Sequence, residues 1–136
     1  MPHPTIPREE YTIHRTLCWG DVYWYDFGLR SSGYTIQDCH PALVLQNDMG
    51  NRFSPTTIIT PLTSAENVHR ILPTHCLIQK SDYPQLDNDS IVKLEQIFTI
   101  ERSDLADQLF MTRFHKATMR RIYEKLRISL NFRAIR

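Results

Sequence analysis

Four residues in this sequence have side chains suited to proton transfer and to the binding of an anion: His40, Thr63, Lys93 and Glu95. With an ordinary pKa of about 6.5, a histidine acts as a base or an acid at neutral pH, and its protonated form hydrogen-bonds a phosphate. Threonine offers a hydroxyl group that can orient an anion. Lys93 and Glu95 alternate along a predicted strand and therefore share one of its faces. Together these groups could furnish a base, an acid and a cation.

Each of these residues also has a simpler interpretation. His40 could be an ordinary loop residue at the surface, and Thr63 could be a strand residue favoured by its β-branched side chain. Lys93 and Glu95 could form a cross-strand ion pair or a solvated face of the sheet. Residue type leaves both interpretations open, so the decision depends on the elements that position these side chains.

Those elements are predicted to be short β-strands followed by one helix. Runs rich in Val, Ile, Thr, Tyr and Trp are separated by turn signals, among them residues 28–33, residues 47–51 and the polar residues 80–89. After Ile100, apolar residues recur every three or four positions, which predicts an amphipathic C-terminal helix packed on the sheet. The predicted strands cover residues 21–27, 41–47, 56–62, 74–79 and 90–100, and the helix stripe contains Met119, Ile122, Leu126 and Leu130.

The chain has 136 residues, 41% of them hydrophobic, which suffices for one core and predicts a single domain over residues 16–136. Residues 1–15 contain three prolines and little apolar periodicity, so we predict a flexible or loosely docked arm. No run reaches the roughly 18 apolar residues of a membrane span, and no apolar stretch resembles a signal peptide. We expect a soluble, cytoplasmic protein without a membrane partner.

The cysteines are Cys18, Cys39 and Cys76, which are odd in number, far apart and without a CxxC or CxxH pair. Neither a disulfide framework nor a structural zinc site is indicated, and a reducing compartment fits this pattern. We predict no metal and no other cofactor.

Charge is distributed unevenly along the chain. Residues 1–110 hold 8 Lys and Arg against 14 Asp and Glu, a net charge of −6, whereas residues 111–136 hold 8 against 1, a net charge of +7. The basic end could attract nucleic acid or an acidic partner segment, or it could be the solvated face of a helix. Charge alone does not choose between these.

Several motifs occur in an order and at a spacing that resemble the MazF/PemK family of toxins. Gly20-Asp21 opens the first predicted strand, and Pro41 leads the second. The stretch QNDMGNRFSPT, residues 46–56, resembles the Gram-positive-type MazF branch almost residue for residue. The resemblance covers about residues 20–130 and continues through Pro61-Leu62-Thr63-Ser64, Leu72-Pro73-Thr74-His75 and residues 90–100.

The resemblance implies an α+β, mainly β fold, an SH3-like (CcdB/PemK-type) small barrel with a C-terminal α-helix. It also implies a homodimer whose grooves bind single-stranded RNA and a MazE-like antitoxin that occupies those grooves. Operator DNA would be a partner only together with the antitoxin. The implied activity is sequence-specific, metal-independent endoribonuclease cleavage, in which the 2′-hydroxyl attacks and leaves a 2′,3′-cyclic phosphate.

The resemblance assigns catalytic roles as well. Thr63 matches the family's catalytic threonine, and Lys93 and Glu95 match positions that the PemK branch uses for phosphate contact and acid–base work. His40 stands where the family usually carries arginine, a residue suited to phosphate because its planar guanidinium donates paired hydrogen bonds. Catalysis by His40 would therefore need redistributed roles.

Candidate RNA-binding residues lie around these positions. The loop before His40 departs from the family pattern, and Arg30 in that loop could replace the missing guanidinium charge. Unstacked bases are read by aromatic stacking and by hydrogen bonds to their edges, which makes Tyr34 a further candidate, whereas Trp24 is expected to belong to the core and its flank. The remaining RNA-binding candidates are Gln37, Asn47, Asn51, Phe53, Ser64 and Gln96.

Two other functions stay open at this point. The first is a catalytically weak relative that serves as a binding module for antitoxin and operator DNA, since His40 departs from the family's arginine. The second is gyrase poisoning, because CcdB toxins share the barrel and a fold does not define a function. The end of the chain, residues 131–136, lacks the tryptophan-containing terminus that CcdB uses.

Overall fold

The fold is built around one long strand that pairs with three others. The computed structural model describes residues 6–30 and 32–132, and this part of the chain contains seven antiparallel strands and two α-helices. The strands are β1 (Asp21–Asp26), β2 (Cys39–Val44), β3 (Thr56–Ser64), β4 (His75–Ile78), β5 (Ser90–Lys93), β6 (Phe98–Glu101) and β7 (Phe110–Arg113), and the helices are α1 (Asp48–Phe53) and α2 (Lys116–Ser129).

The order of the strands determines what surrounds the end of β3, where Thr63 lies. The strands follow the order β4-β5-β3-β2-β1-β7, and β6 also pairs with β3. The first half of β3 lies between β2 and β6, and from Leu62 onward the same strand pairs with β5 instead. The sheet therefore curls around β3, and the end of β3 lies at the junction of β2 and β5.

Alternation along β1 divides the core between the two faces of the sheet. Val22 is fully buried in one cluster, together with Leu43, Leu62 and Met119. Tyr23 is buried in the other cluster, against which Tyr25 packs. Val22 and Tyr23 therefore point to opposite faces of the sheet, as successive strand residues do.

The predicted C-terminal helix is confirmed, although its apolar stripe is shorter than expected. α2 buries Met119 and Ile122, and Leu126 packs partly against the same cluster. Leu130 follows the last helical residue and is 46% exposed, so its assignment to the buried stripe was wrong. Several exposed basic side chains, among them those of Arg120 and Arg121, lie on this helix.

The predicted single strand over residues 90–100 is wrong. A turn at residues 94 and 95 separates β5 from β6, and the N–H of Gln96 donates to the carbonyl of Lys93 at 3.0 Å. The hydroxyl of Thr60 donates to the carbonyls of both Lys93 and Gln96, at 2.9 Å each. Lys93 and Glu95 therefore do not share a strand face.

Two further differences concern local structure. Residues 47–51 were expected to form a turn, but Asn47 caps α1, and its side-chain oxygen accepts from the N–H of Gly50 at 2.8 Å. Strand β7 was not predicted. It pairs with β1 over Asp21 to Tyr23 and closes that edge of the sheet.

The segment before the first strand docks on the domain through polar contacts. The backbone N–H groups of His14 and Arg15 donate to the carboxylate of Asp107, both at 3.0 Å, and Gln108 bonds residues 10 and 12. Residues 1–5 of the predicted arm, and residues 133–136 at the other end, lie outside the described residues. Within the described part, no helix has the length and apolar character needed to cross a membrane.

Candidate functional site

His40 and Thr63 lie at the end of the β2–β3 pairing. The last antiparallel pair places Ala42 opposite Pro61, and His40 and Thr63 each lie two residues beyond it, where β3 turns to pair with β5. Both side chains line one surface cleft of about 510 Å³. The site thus follows directly from the pairing of the two strands.

The environment of His40 favours its neutral form. The imidazole is half-buried, and its Nε2 lies 2.8 Å from the carbonyl oxygen of Gln37. The ring of Phe27 packs beside it with a centroid distance of 6.4 Å. Burial lowers the pKa of His40, and this effect outweighs the backbone carbonyls of Gln37 and Leu62 and the Asp38 charge, which favour the protonated ring. His40 is therefore neutral at pH 7, with Nε2–H donating to Gln37 and Nδ1 left as the acceptor.

Two side-chain hydroxyl groups at the end of β3, those of Thr63 and Ser64, form no hydrogen bond with any described residue. Thr63 is 8% exposed, and none of the described residues forms a hydrogen bond with its hydroxyl. The hydroxyl oxygen of Ser64 is buried and likewise has no partner in the described part of the chain. Both residues line the cleft.

Glu95 is held away from the cleft by His75. Nδ1 of His75 accepts from the N–H of Leu72 at 3.1 Å, so Nε2 carries the proton and donates to Glu95 at 3.0 Å. Thr74 adds a longer contact of 3.3 Å. Burial opposes ionisation of Glu95, but the hydrogen bond from His75, its own backbone N–H and nearby positive charge together lower its pKa. Glu95 is therefore a carboxylate at neutral pH and is poorly suited to donate a proton.

The positive charge of Lys93 acts on both His40 and Glu95. Its charge lowers the pKa of His40 and the pKa of Glu95, which places its ammonium within range of both. Lys93 is half-buried at the end of β5 and is not among the described residues that line the cleft. The structure thus brings His40, Thr63 and Ser64 together, with Lys93 nearby and Glu95 outside the cleft.

The loop before His40 is fixed by two glutamines. The side-chain oxygen of Gln37 accepts from the N–H of Arg30 at 2.7 Å, and that of Gln96 accepts from the N–H of Ile36 at 2.5 Å. Gln37 and Gln96 therefore shape the loop, while Arg30 is exposed and Tyr34 is fully exposed on it.

The stretch that carried the resemblance is largely structural. Asn51 is 2% exposed, its amide donates to the carbonyl of Gln46 at 2.8 Å, and its side-chain oxygen accepts from Thr57 at 2.8 Å and from Gln46 at 3.2 Å. Asn47 is occupied as the cap of α1. These contacts commit both asparagines to the fold, whereas Phe53 is 72% exposed and remains accessible.

The Gly20-Asp21 motif is also structural. Gly20 has a φ of +91°, a backbone conformation that residues other than glycine rarely adopt. Asp21 is fully buried and accepts from Arg113 at 2.6 Å and from the N–H of Cys18 at 2.9 Å. The motif therefore joins β1 to β7 and has no contact with the cleft.

Several cleft residues were missed by the sequence reasoning. Asp38 and Glu66 line the cleft, and so does Trp24, which lies opposite Pro41 in the β1–β2 register. Trp24 was expected to belong to the core and its flank. Asp38 precedes β2 and Glu66 follows β3, and no local pattern marks either of them as a cleft residue.

The curled sheet, the C-terminal helix and the cleft together define the class of small, mainly β toxin folds. An endoribonuclease in complex with its cognate antitoxin, from a mycobacterial species, matches with a TM-score of 0.68 over 88% of this chain and 99% of that chain, at 24% identity. MazF from Deinococcus radiodurans matches with a TM-score of 0.68 over 87% of this chain and 99% of that one, at 18% identity. These likenesses confirm the predicted fold.

The chain belongs to the PemK-like, MazF-like toxins of type II toxin–antitoxin systems, because residues 19–130 match that family. Its similarity to the Endoribonuclease MazF of Staphylococcus saprophyticus is 38% identity over 117 residues, which cover 86% of this chain and 93% of the relative. The family expected from the motifs is thereby confirmed.

Proposed function

We propose that this protein is an endoribonuclease toxin that cleaves single-stranded RNA without a metal ion, using the neighbouring 2′-hydroxyl of the RNA as the nucleophile. The observation that carries the proposal is the placement of His40 and Thr63 in one cleft, just beyond the last β2–β3 pair. A relative that is 38% identical and is named an endoribonuclease supports the same activity.

His40 is the general base in this scheme. In the neutral ring the unprotonated Nδ1 takes the proton of the 2′-hydroxyl, while Nε2–H stays bonded to the carbonyl of Gln37. The 2′-oxygen then bonds to phosphorus, and the bond from phosphorus to the 5′-oxygen breaks. The products are a 2′,3′-cyclic phosphate and a 5′-hydroxyl end.

Thr63 and Lys93 bind and stabilise the phosphate in this scheme. The available hydroxyl of Thr63 donates to a non-bridging oxygen and orients the phosphate for attack, and Ser64 provides a second hydroxyl beside it. The ammonium of Lys93 stabilises the developing negative charge and protonates the leaving 5′-oxygen. The sequence made Glu95 a candidate for acid–base work. Because the pKa of Glu95 is lowered, with the Lys93 charge among the causes, we propose that Glu95 acts as a carboxylate whose charge positions Lys93.

RNA contacts outside the cleft are assigned to exposed groups. Tyr34 and Phe53 offer rings on which bases stack. Arg30 supplies a cation on the loop that Gln37 and Gln96 hold in place. This division makes the loop over residues 28–38 the main source of sequence specificity.

The proposed protein partners are a second copy of the chain and a MazE-like antitoxin, with operator DNA bound only by the toxin–antitoxin complex. One of the matching solved structures is an endoribonuclease bound to its cognate antitoxin. The exposed basic residues of α2 suit an acidic partner segment. We place the protein in the cytoplasm, where such RNA and such an antitoxin meet.

A cleavage assay tests the proposal. Purified protein is incubated at neutral pH in EDTA with a mixed RNA of known sequence, and the ends of the fragments are mapped. We expect discrete cuts with cyclic-phosphate ends and no cutting of the matching DNA, which lacks the 2′-hydroxyl. Uncut RNA at a large excess of protein would contradict the proposal and favour the binding module.

A further inference from the structure

The hydroxyl of Thr60 reaches both ends of the turn between β5 and β6. Thr60 lies in β3, is fully buried and is not among the described residues that line the cleft. Its hydroxyl has one proton to donate, and it lies 2.9 Å from the carbonyl oxygens of both Lys93 and Gln96. The N–H of Gln96 closes the same turn on the Lys93 carbonyl at 3.0 Å. One buried hydroxyl therefore fixes the path of the chain where it leaves β5, directly after Lys93.

Gln96 connects this turn to the loop before His40. Its side-chain oxygen accepts from the N–H of Ile36 at 2.5 Å, across 60 residues of the sequence. The next residue in the loop is Gln37, whose backbone carbonyl lies 2.8 Å from Nε2 of His40. Gln96 is thus bonded to β3 through its carbonyl and to the loop through its side chain. These contacts form one continuous path from Thr60 to the imidazole.

We propose that Thr60 is a positioning residue of the endoribonuclease site, and that it aligns His40 with Lys93 through Gln96. The inference rests on the endoribonuclease function proposed above, in which His40 is the base and Lys93 the acid. These two residues belong to β2 and β5, which do not pair with each other. The path through Thr60 and Gln96 joins the two sides of the reaction by hydrogen bonds, without contact between Thr60 and the reacting atoms.

The middle of the turn is held separately from its ends. The hydroxyl of Ser129, the last residue of α2, donates to the carbonyl of Leu94 at 2.6 Å. The N–H of Leu94 donates to the carbonyl of Thr74 at 3.2 Å, and the Leu94 side chain is fully buried. Loss of the Thr60 hydroxyl should therefore leave Leu94 in place and displace mainly Gln96, together with the loop that Gln96 holds.

Substitution of Thr60 tests its role in the reaction. Thr60→Val keeps the branched shape and removes the hydroxyl, whereas Thr60→Ser keeps the hydroxyl. We expect Thr60→Val to lower kcat about tenfold or more while KM changes less than about threefold, because a misplacement of about 1 Å can cost about a hundredfold in rate. Thr60→Ser should restore kcat to within about threefold of the wild-type value.

Thr57→Val is the matched control for loss of a buried hydroxyl. Thr57 is another fully buried threonine of β3, and its hydroxyl donates to Asn51 at 2.8 Å, away from the turn and the loop. This variant also loses a buried hydrogen bond and should lose stability. Measured well below its melting temperature, its kcat should nevertheless stay within about threefold of the wild-type value, because it leaves the path to His40 intact. An equal fall in kcat in Thr57→Val and Thr60→Val would make Thr60 an ordinary structural residue.

Variants of Gln96 test the second half of the path. Gln96→Leu removes the acceptor for the Ile36 N–H, and Gln96→Glu keeps an oxygen in its place. We expect Gln96→Leu to lower kcat as Thr60→Val does, and Gln96→Glu to recover most of the lost rate. The double variant Thr60→Val/Gln96→Leu should be little slower than the slower single variant, since both changes break one path. A higher KM at unchanged kcat in Gln96→Leu would make Gln96 a direct RNA contact and overturn its role in positioning His40.

Hydrogen exchange of the Ile36 amide tests the path in the free protein. Followed by NMR, this amide should exchange at least about tenfold faster in Thr60→Val and in Gln96→Leu, as for the loss of one hydrogen bond. Its exchange should be unchanged in Thr57→Val. Absence of cleavage by the wild-type protein would count against the proposed function, and the exchange rates would still decide whether the path exists. Unaltered Ile36 exchange in both Thr60→Val and Gln96→Leu overturns the inference.

Discussion

The Nε2 atom of His40 lies 2.8 Å from the carbonyl oxygen of Gln37, and this contact fixes which nitrogen carries the proton in the neutral ring. The pKa of His40 is lowered from its ordinary value of 6.5, chiefly by burial. The ring therefore loses its proton with a midpoint below pH 6.5. If His40 is the base, the cleavage rate should rise with pH and reach a plateau, with its midpoint below pH 6.5. Initial rates between pH 4.5 and 8 on one oligonucleotide measure this.

The control for that profile is His40→Arg, since arginine stays charged throughout this range. The transition below pH 6.5 should disappear in this variant. A wild-type rate that falls as the pH rises through this region would assign the required proton to His40 and overturn its role as base.

Substitution of His40 should separate loss of chemistry from loss of fold. We expect His40→Ala to reduce cleavage at least about a hundredfold, as for removal of a general base. His40→Arg should preserve or raise the activity by restoring the cation expected at this position from the resemblance, with a group other than residue 40 taking the proton. Circular dichroism should show the same fold in both variants, and equal cleavage by His40→Ala and the wild-type protein would remove His40 from the mechanism.

Thr63 should matter for rate more than for stability. Its hydroxyl makes no contact that holds the described fold together, so Thr63→Ala should lower the cleavage rate about a hundredfold, as for one lost donor to a developing oxyanion. Thr63→Ser retains the hydroxyl and should stay within about tenfold of the wild-type rate. A large fall in melting temperature, with an unchanged rate at low temperature, would instead make Thr63 a structural residue.

Asn51 should matter for stability more than for the cleavage rate. Its amide bonds Gln46 and Thr57 in a buried position, and Asn51→Ala leaves those partners unsatisfied. We expect a loss of about 2–3 kcal/mol in the free energy of unfolding, measured in urea. Asn47→Ser preserves a capping side chain and should cost far less. Normal stability with weakened RNA binding would return Asn51 to the RNA interface.

The elements set by local periodicity were predictable from the sequence. β1 and β3 are rich in β-branched and aromatic residues, and α2 repeats apolar residues at helical spacing, so their types and approximate bounds follow from pattern alone. The break between β5 and β6 does not, because no Gly or Pro marks it. It is stabilised by the hydroxyl of Thr60, which belongs to another strand.

The site shows the same division between local and non-local information. His40 and Thr63 could be chosen one by one from residue type and from the family motifs. Their common cleft depends on the register that pairs Ala42 with Pro61, and no single segment contains that register. The same holds for Glu95, whose partner His75 belongs to β4 and not to its own predicted strand.

The pair formed by His75 and Glu95 predicts a specific dependence of stability on pH. Despite the cost of burial, the pKa of Glu95 is lowered below its ordinary value of 4.5, so the folded state favours the carboxylate. The resulting stabilisation is present above about pH 4.5 and is lost as the pH falls through the folded-state pKa. Glu95→Gln should therefore be less stable than the wild-type protein at pH 6, and the difference should shrink below pH 4.5.

Urea unfolding at several pH values measures that difference. Glu101→Gln is the matched control, because Glu101 is an exposed residue of β6 and the change is chemically the same. It should leave the stability curve nearly parallel to that of the wild-type protein. A Glu95→Gln difference that stays constant from pH 6 to pH 3.5 would show that the carboxylate charge does not stabilise the fold, and that Glu95 is free to take part in catalysis.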